Sequence, residues 1–83
     1  MDRDEAFRKF QATVADVLEV GPDEVVPDAR WEHDLGADSL AVVECTLALN
    51  EEFEIKIPDV DPEDLVTVGA AFAIVWRLLS DAA

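Results

Sequence analysis

Cations are scarce in this chain, and so are cysteine, histidine and glycine. Six Lys and Arg stand against twenty Asp and Glu over 83 residues, a formal net charge of -14. That imbalance repels nucleic-acid phosphates and anionic lipid surfaces, which makes both poor partners. The single cysteine, Cys45, permits neither an intramolecular disulfide nor a zinc cluster. It reads as a small apolar side chain on a helix, since no base stands at a helical spacing from it. The one histidine, His33, has no catalytic companion and reads as an exposed loop residue. No apolar run approaches the roughly 18 residues of a membrane span, and the start Met1-Asp2-Arg3-Asp4-Glu5 is no signal peptide. The chain is therefore expected to be one complete, free-standing domain over residues 1–83, cytoplasmic and monomeric.

What is present is enough for a core. Half the residues are hydrophobic, 51%, though a domain this small buries only about 60% of its unfolded surface. Phe7, Phe10, Val14, Val17 and Leu18 recur at helical spacing and predict a first helix over about 4–19, ended by Gly21-Pro22. A long connection over 22–37 follows, with Val25, Val26, Trp31 and Leu35 as expected inward anchors and Trp31 as the plug that fixes it. A second helix is predicted from Ser39 to Phe53, with Leu40, Val43, Leu47 and Phe53 as one stripe and Val42, Cys45, Thr46 and Leu49 widening it. So broad an apolar arc predicts a central helix with neighbours on more than one side. Ile55-Lys56-Ile57 alternates like a strand but has nothing to pair with and is cut off by Pro58, so it reads as extended linker. Residues 58–65 are expected to hold one short helix. A last helix begins near Thr67, its expected N-cap, with Val68, Phe72, Val75, Trp76 and Leu79 on its face. The fold class is all-α: a four-helix bundle of three main helices and one short helix, with a long first loop.

Asp34-Leu35-Gly36-Ala37-Asp38-Ser39-Leu40 places a serine at the head of the second helix with nothing nearby to activate it as a nucleophile. Either Asp38 or Ser39 would cap that helix. A phosphoryl group on the serine would meet the positive end of the helix dipole. It would also meet Asp34 and Asp38, with no basic residue adjacent in the chain. A reactive position without catalytic machinery suggests that another protein acts on it.

This segment resembles the attachment motif of acyl carrier proteins, in which the serine of Asp-Ser-Leu carries 4'-phosphopantetheine. Glu44 follows at the family's spacing. Ala48-Leu49-Asn50-Glu51-Glu52-Phe53-Glu54-Ile55-Lys56-Ile57-Pro58-Asp59 is similar to the segment that closes its second helix, and Thr67-Val68-Gly69 to the start of its last. The resemblance implies an acyl-carrier-like fold and no catalytic residue. It implies a phosphopantetheinyl transferase that moves the arm from coenzyme A to Ser39, using magnesium in its own site. It further implies partner contacts through Asp38, Leu40, Glu44, Glu51 and Glu52 with acyltransferases and ketosynthase-type enzymes that carry basic docking patches. Val43, Leu47, Phe53, Leu65, Ala71 and Phe72 would shelter the acyl chain. Ala41, Val42, Asn50 and Glu54 depart from the pattern of fatty-acid carriers and leave room for polyketide or other specialised assembly.

Two other readings remain from sequence. An aminoacyl or peptidyl carrier is the nearer one, although such domains usually carry Gly-Gly where this chain has Gly36-Ala37. An unmodified acidic interaction module would explain the charge but leaves Ser39 only a capping task. No metal site is expected: the run Asp59, Asp61, Glu63, Asp64 lacks the sixth-position glycine and twelfth-position glutamate of a calcium loop. Between Glu44 and Asp64 eight carboxylates face Lys56 alone. Their mutual repulsion should make the apo protein melt earlier at low salt, so added salt or magnesium should raise its Tm in a thermal scan.

Overall fold

The computed structural model describes residues 2–58 and 66–82. Three helices make up the described architecture: α1, Arg3–Leu18; α2, Ser39–Phe53; and α3, Val68–Ala82. Among the described residues there is no strand, only an isolated antiparallel bridge between Arg30 and Thr67. The all-α class expected from periodicity is the class observed. The short helix expected over 58–65 falls almost wholly outside the described residues.

Each helix starts on a side-chain cap. Asp2 Oδ1 accepts from the Glu5 N–H at 2.8 Å, Asp38 Oδ1 from the Ala41 N–H at 2.9 Å, and Thr67 Oγ1 from the Ala70 N–H at 3.2 Å. These carboxylates and the hydroxyl satisfy donors that a helix leaves unpaired in its first turn. Ala6, Phe10 and Val14 of α1 meet Cys45, Leu49 and Phe53 of α2 and Val68, Phe72 and Val75 of α3 in a single core. Phe72 packs edge to face against both Phe7 and Phe10, at 4.9 Å and 5.5 Å between ring centroids. Cys45 belongs to this core, and burial, aided by the charge of Glu44, pushes its thiol up to about 12.

The long first connection is pinned at several points. Gln11 Nε2 donates to the Val25 carbonyl at 2.8 Å, tying the loop to α1. Val25, Trp31 and Leu35 are buried as expected, but Val26 is 42% exposed and is not an anchor. The Val26 backbone instead takes part in a turn, its carbonyl accepting from the Ala29 N–H, which turns the side chain outward. Trp31 is 4% exposed and donates from Nε1 to the Thr67 carbonyl at 3.1 Å. Ile55 and Ile57 are half-buried against the core, the linker role their alternation suggested.

α2 is not the central helix that its apolar arc predicted. α1 is the shared neighbour that packs against both α2 and α3. One flank of α2 meets no other helix among the described residues, and there Leu40, Val43 and Leu47 are 66%, 53% and 60% exposed. Spacing identified these residues as apolar but could not tell a buried flank from a bare one.

α1 and α2 both end on a glutamate in the left-handed region, Glu19 at φ 57° and Glu54 at φ 54°. Glycine holds that conformation without a Cβ penalty. Glu54→Gly should therefore stabilise the fold by about 0.5–1 kcal/mol, read as a higher denaturation midpoint with an unchanged slope.

Candidate functional site

Three local devices hold the head of α2. Asp34 folds the loop back, its Oδ2 accepting from the Arg30 N–H at 2.8 Å. Gly36 then takes φ 66°, a conformation that L side chains rarely adopt, and reverses the chain. Finally the Ala37 N–H donates to the Trp31 carbonyl at 2.7 Å, which sets the register of Asp38 and Ser39. Asp34 and Gly36 are thus turn residues in the structure, and Ala37 is buried beneath the serine.

Asp38 takes the capping bond. Ser39 is the first residue of α2 and is exposed, and its hydroxyl has no hydrogen-bond partner among the described residues. The two residues that competed for one task therefore divide. Asp38 satisfies the backbone, and Ser39 is left for chemistry at the positive end of the helix dipole.

A groove of about 470 Å³ runs from Ser39 down the side of α2. Val42, Val43, Thr46, Leu47 and Asn50 form one wall, and Arg30, Trp31, His33, Ile57 and Val66 contribute to the others. Arg30 and His33 thereby enter the same cleft as the serine, although neither is next to it in sequence. No basic residue adjoins Ser39 in the chain, but in the fold Arg30 and His33 border its groove together with the acidic Glu32 and Asp38. Thr46 and Asn50 were also missed as groove residues. Their spacing from Ser39, seven and eleven residues, is the helical signal that would have found them.

The six residues expected to shelter an acyl chain do not line one cavity. Val43 and Leu47 lie in the groove, whereas Ala71 borders a slot of about 10 Å³ between α2 and α3. Phe72 edges a separate hollow of about 480 Å³ on the α1–α3 side, and Phe53 is buried in the core. Leu65 lies outside the described residues. Larger size does not make that second hollow the better candidate, because none of the groove residues around Ser39 borders it.

Asp38, Leu40, Glu44, Glu51 and Glu52, the expected partner contacts, are all exposed. Leu40, Glu44, Leu47 and Glu51 recur every three or four residues and share one face of α2. Glu52 stands apart from that face. It lies 3.9 Å from Lys9 of α1, whose ammonium also sits 5.1 Å from the centre of the Phe53 ring. The outer face of α2 is thus mixed, acidic side chains around exposed Leu40, Val43 and Leu47.

The chain's similarities agree with this geometry. The family described as phosphopantetheine attachment site matches residues 8–73. An acyl carrier protein of Thermosynechococcus vestitus is 50% identical over 68 residues, covering 82% of this chain and 84% of that protein. One from a Sulfurovum species is 46% identical over 69 residues, 83% of this chain and 92% of the relative.

The split between Asp38 and Ser39 can be measured. Asp38→Ala should cost about 1 kcal/mol of stability through the lost cap. Ser39→Ala should leave stability within about 0.5 kcal/mol in the same denaturant titration, as for other exposed positions without partners.

Proposed function

The chain belongs to the acyl carrier proteins, carriers rather than enzymes whose cofactor is covalent 4'-phosphopantetheine, and on that premise we propose that Ser39 is the residue that carries the arm. The observation behind this is the exposed Ser39 hydroxyl, free of the capping task, at the mouth of a groove. The residues there fit the group. The α2 dipole and the Arg30 guanidinium that borders the same groove favour a phosphodiester there, against the carboxylates of Glu32 and Asp38. When bound, the arm supplies a terminal thiol on which acyl groups travel as thioesters.

The attachment itself needs no base from this chain. Ser39 Oγ forms the new bond to phosphorus, the nucleotide half of coenzyme A leaves, and the hydroxyl proton passes to a group of the transferase. This chain contributes a rigid, exposed nucleophile, held by the Asp38 cap and by the Ala37 bond to Trp31. Once modified, its work is presentation. Tethering raises the local concentration of cargo at a docked enzyme to the millimolar range.

Partner docking is assigned to the outer face of α2. Glu44 and Glu51, with Asp38 at the helix head, steer the encounter with basic patches, while Leu40, Val43 and Leu47 supply the apolar contact. Steering of this kind favours fast and transient binding, which suits a shuttle between a transferase, acyltransferases and ketosynthase-type enzymes. Glu52 is a weaker contributor because Lys9 already faces it. Among the described residues no helix is long and apolar enough to cross a membrane. The proposed setting is the cytoplasm, in fatty-acid or polyketide-type assembly.

Intact mass before and after incubation with coenzyme A, magnesium and a broad-range phosphopantetheinyl transferase tests the assignment. A gain of one phosphopantetheine is expected for the wild type and none for Ser39→Ala. A gain that persists in Ser39→Ala would move the site elsewhere. Absence of any gain, with a control carrier modified in parallel, would leave a carrier fold without its arm.

A further inference from the structure

The hollow of about 480 Å³ on the α1–α3 side runs against the charge of the rest of the chain. It shares no lining residue with the groove beside Ser39, and no residue of α2 borders it. Arg3 and Arg8 of α1 both line it, two of the six Lys and Arg in the sequence. Phe7, Phe72 and Pro27 add apolar surface. Asp4 is the one carboxylate among the lining residues, so two cations meet one anion there, in a chain of net charge -14.

Pairing within the chain does not account for this cluster. Asp4 stands four residues before Arg8, the spacing of a helical ion pair, yet the ion pair found among the described residues is Lys9 with Glu52. Arg3 is the first residue of α1, where the helix dipole disfavours a cation. Its guanidinium carbon lies 5.8 Å from the centre of the Phe72 ring, which holds the charge at the hollow. Both arginines are exposed.

The spacing of the two cations selects the occupant. Five residues separate them, about 7.5 Å along the helix axis. Alternate residues of an extended peptide lie about 6.8 Å apart with their side chains on one face. Two carboxylates carried that way match the two arginine stems, whereas a single carboxylate matches one. We propose that this hollow is a second docking surface, which takes an extended acidic segment of a partner protein with carboxylates on alternate residues. The sign is opposite to that of the partner surface proposed for α2, so the two faces select different proteins. Because no residue is shared, one protein can hold the carrier at α1 while the α2 face meets another. The carboxylates elsewhere in the chain repel such a segment at long range, but at about 0.15 M salt their field decays over about 8 Å. Contact at the hollow then decides. This surface stands independently of Ser39 and its arm.

The test is an NMR titration of the full chain at that salt concentration with a blocked pentapeptide of alternating glutamate and valine. The backbone amides of Phe7, Gly69 and Phe72 and the side-chain Nε signals of Arg3 and Arg8 should shift together, and those of Ser39 to Glu52 should stay in place. Arg3→Gln and Arg8→Gln should each raise Kd about fivefold, the effect of one lost exposed ion pair. Arg3→Gln also forfeits the contact with Phe72, so Arg8→Gln, which has no such contact, is the variant that separates binding from packing. The glutamine counterpart of the peptide should leave the spectrum unchanged. Acetate that produces the same shifts with equal affinity would make the hollow a small-anion site and overturn the proposal. So would equal binding of the glutamine peptide, an unchanged Kd in Arg8→Gln, shifts centred on α2, or no shift up to about 10 mM peptide.

Discussion

Trp31 ties the head of α2 to the head of α3. Its indole N–H reaches the Thr67 carbonyl, its backbone N–H faces the Val66 carbonyl at 3.4 Å, and its own carbonyl receives the Ala37 N–H. Thr67 in turn caps α3, and Ala37 immediately precedes the residue that caps α2. One buried residue, through its side chain and its backbone, thus sets two helix starts relative to each other. A long loop carries a large ordering cost, about 1–2 kcal/mol per residue for the backbone alone. Bonds that anchor it at several points offset that cost, and the same bonds aim Ser39 outward. Gly69 completes the seam, its N–H bonded to the Pro27 carbonyl at a separation that would leave little room for a Cβ.

Folding and function use different chemistry on neighbouring residues. Apolar packing among Phe10, Val14, Cys45, Leu49, Val68 and Val75 holds the helices together, with no buried charged side chain among the described residues. The ion pair found among the described residues, Lys9 with Glu52, is exposed and contributes little. Arg3 and Lys9 lie over the Phe72 and Phe53 rings, so even the few cations are partly engaged by aromatic faces. Most carboxylates are consequently left unneutralised at the surface. That weakens the fold through repulsion, and it leaves a strong field for attracting basic partners.

The bare flank of α2 carries a similar compromise. Three large apolar side chains remain in water when burying each would be worth about 1.5–3 kcal/mol. Nothing in packing rewards that arrangement in the isolated chain. The docking proposed for this face would reward it, with a contact that forms and breaks at every transfer. The groove lies beside this flank, with Val43 and Leu47 belonging to both.

Local features were legible in the chain itself. Helix spacing located α1, α2 and the start of α3 to within a residue or two, Thr67 announced its cap, and Asp34 to Leu40 marked the serine. These follow from interactions within a few residues, which is why a linear reading captures them. Ser39 against Asp38 was undecidable at that level, since both side chains have the oxygen a cap needs and only the folded backbone assigns it to one. Val26, the exposure of Leu40, Val43 and Leu47, and the meeting of Arg30 and His33 with Ser39 were out of reach for a further reason. Periodicity states which residues share a stripe, but the stripe that finds a neighbour depends on contacts between distant segments. The position of α1 between its two partners made that choice, burying Cys45 and Leu49 while leaving the adjoining flank and its groove open to solvent.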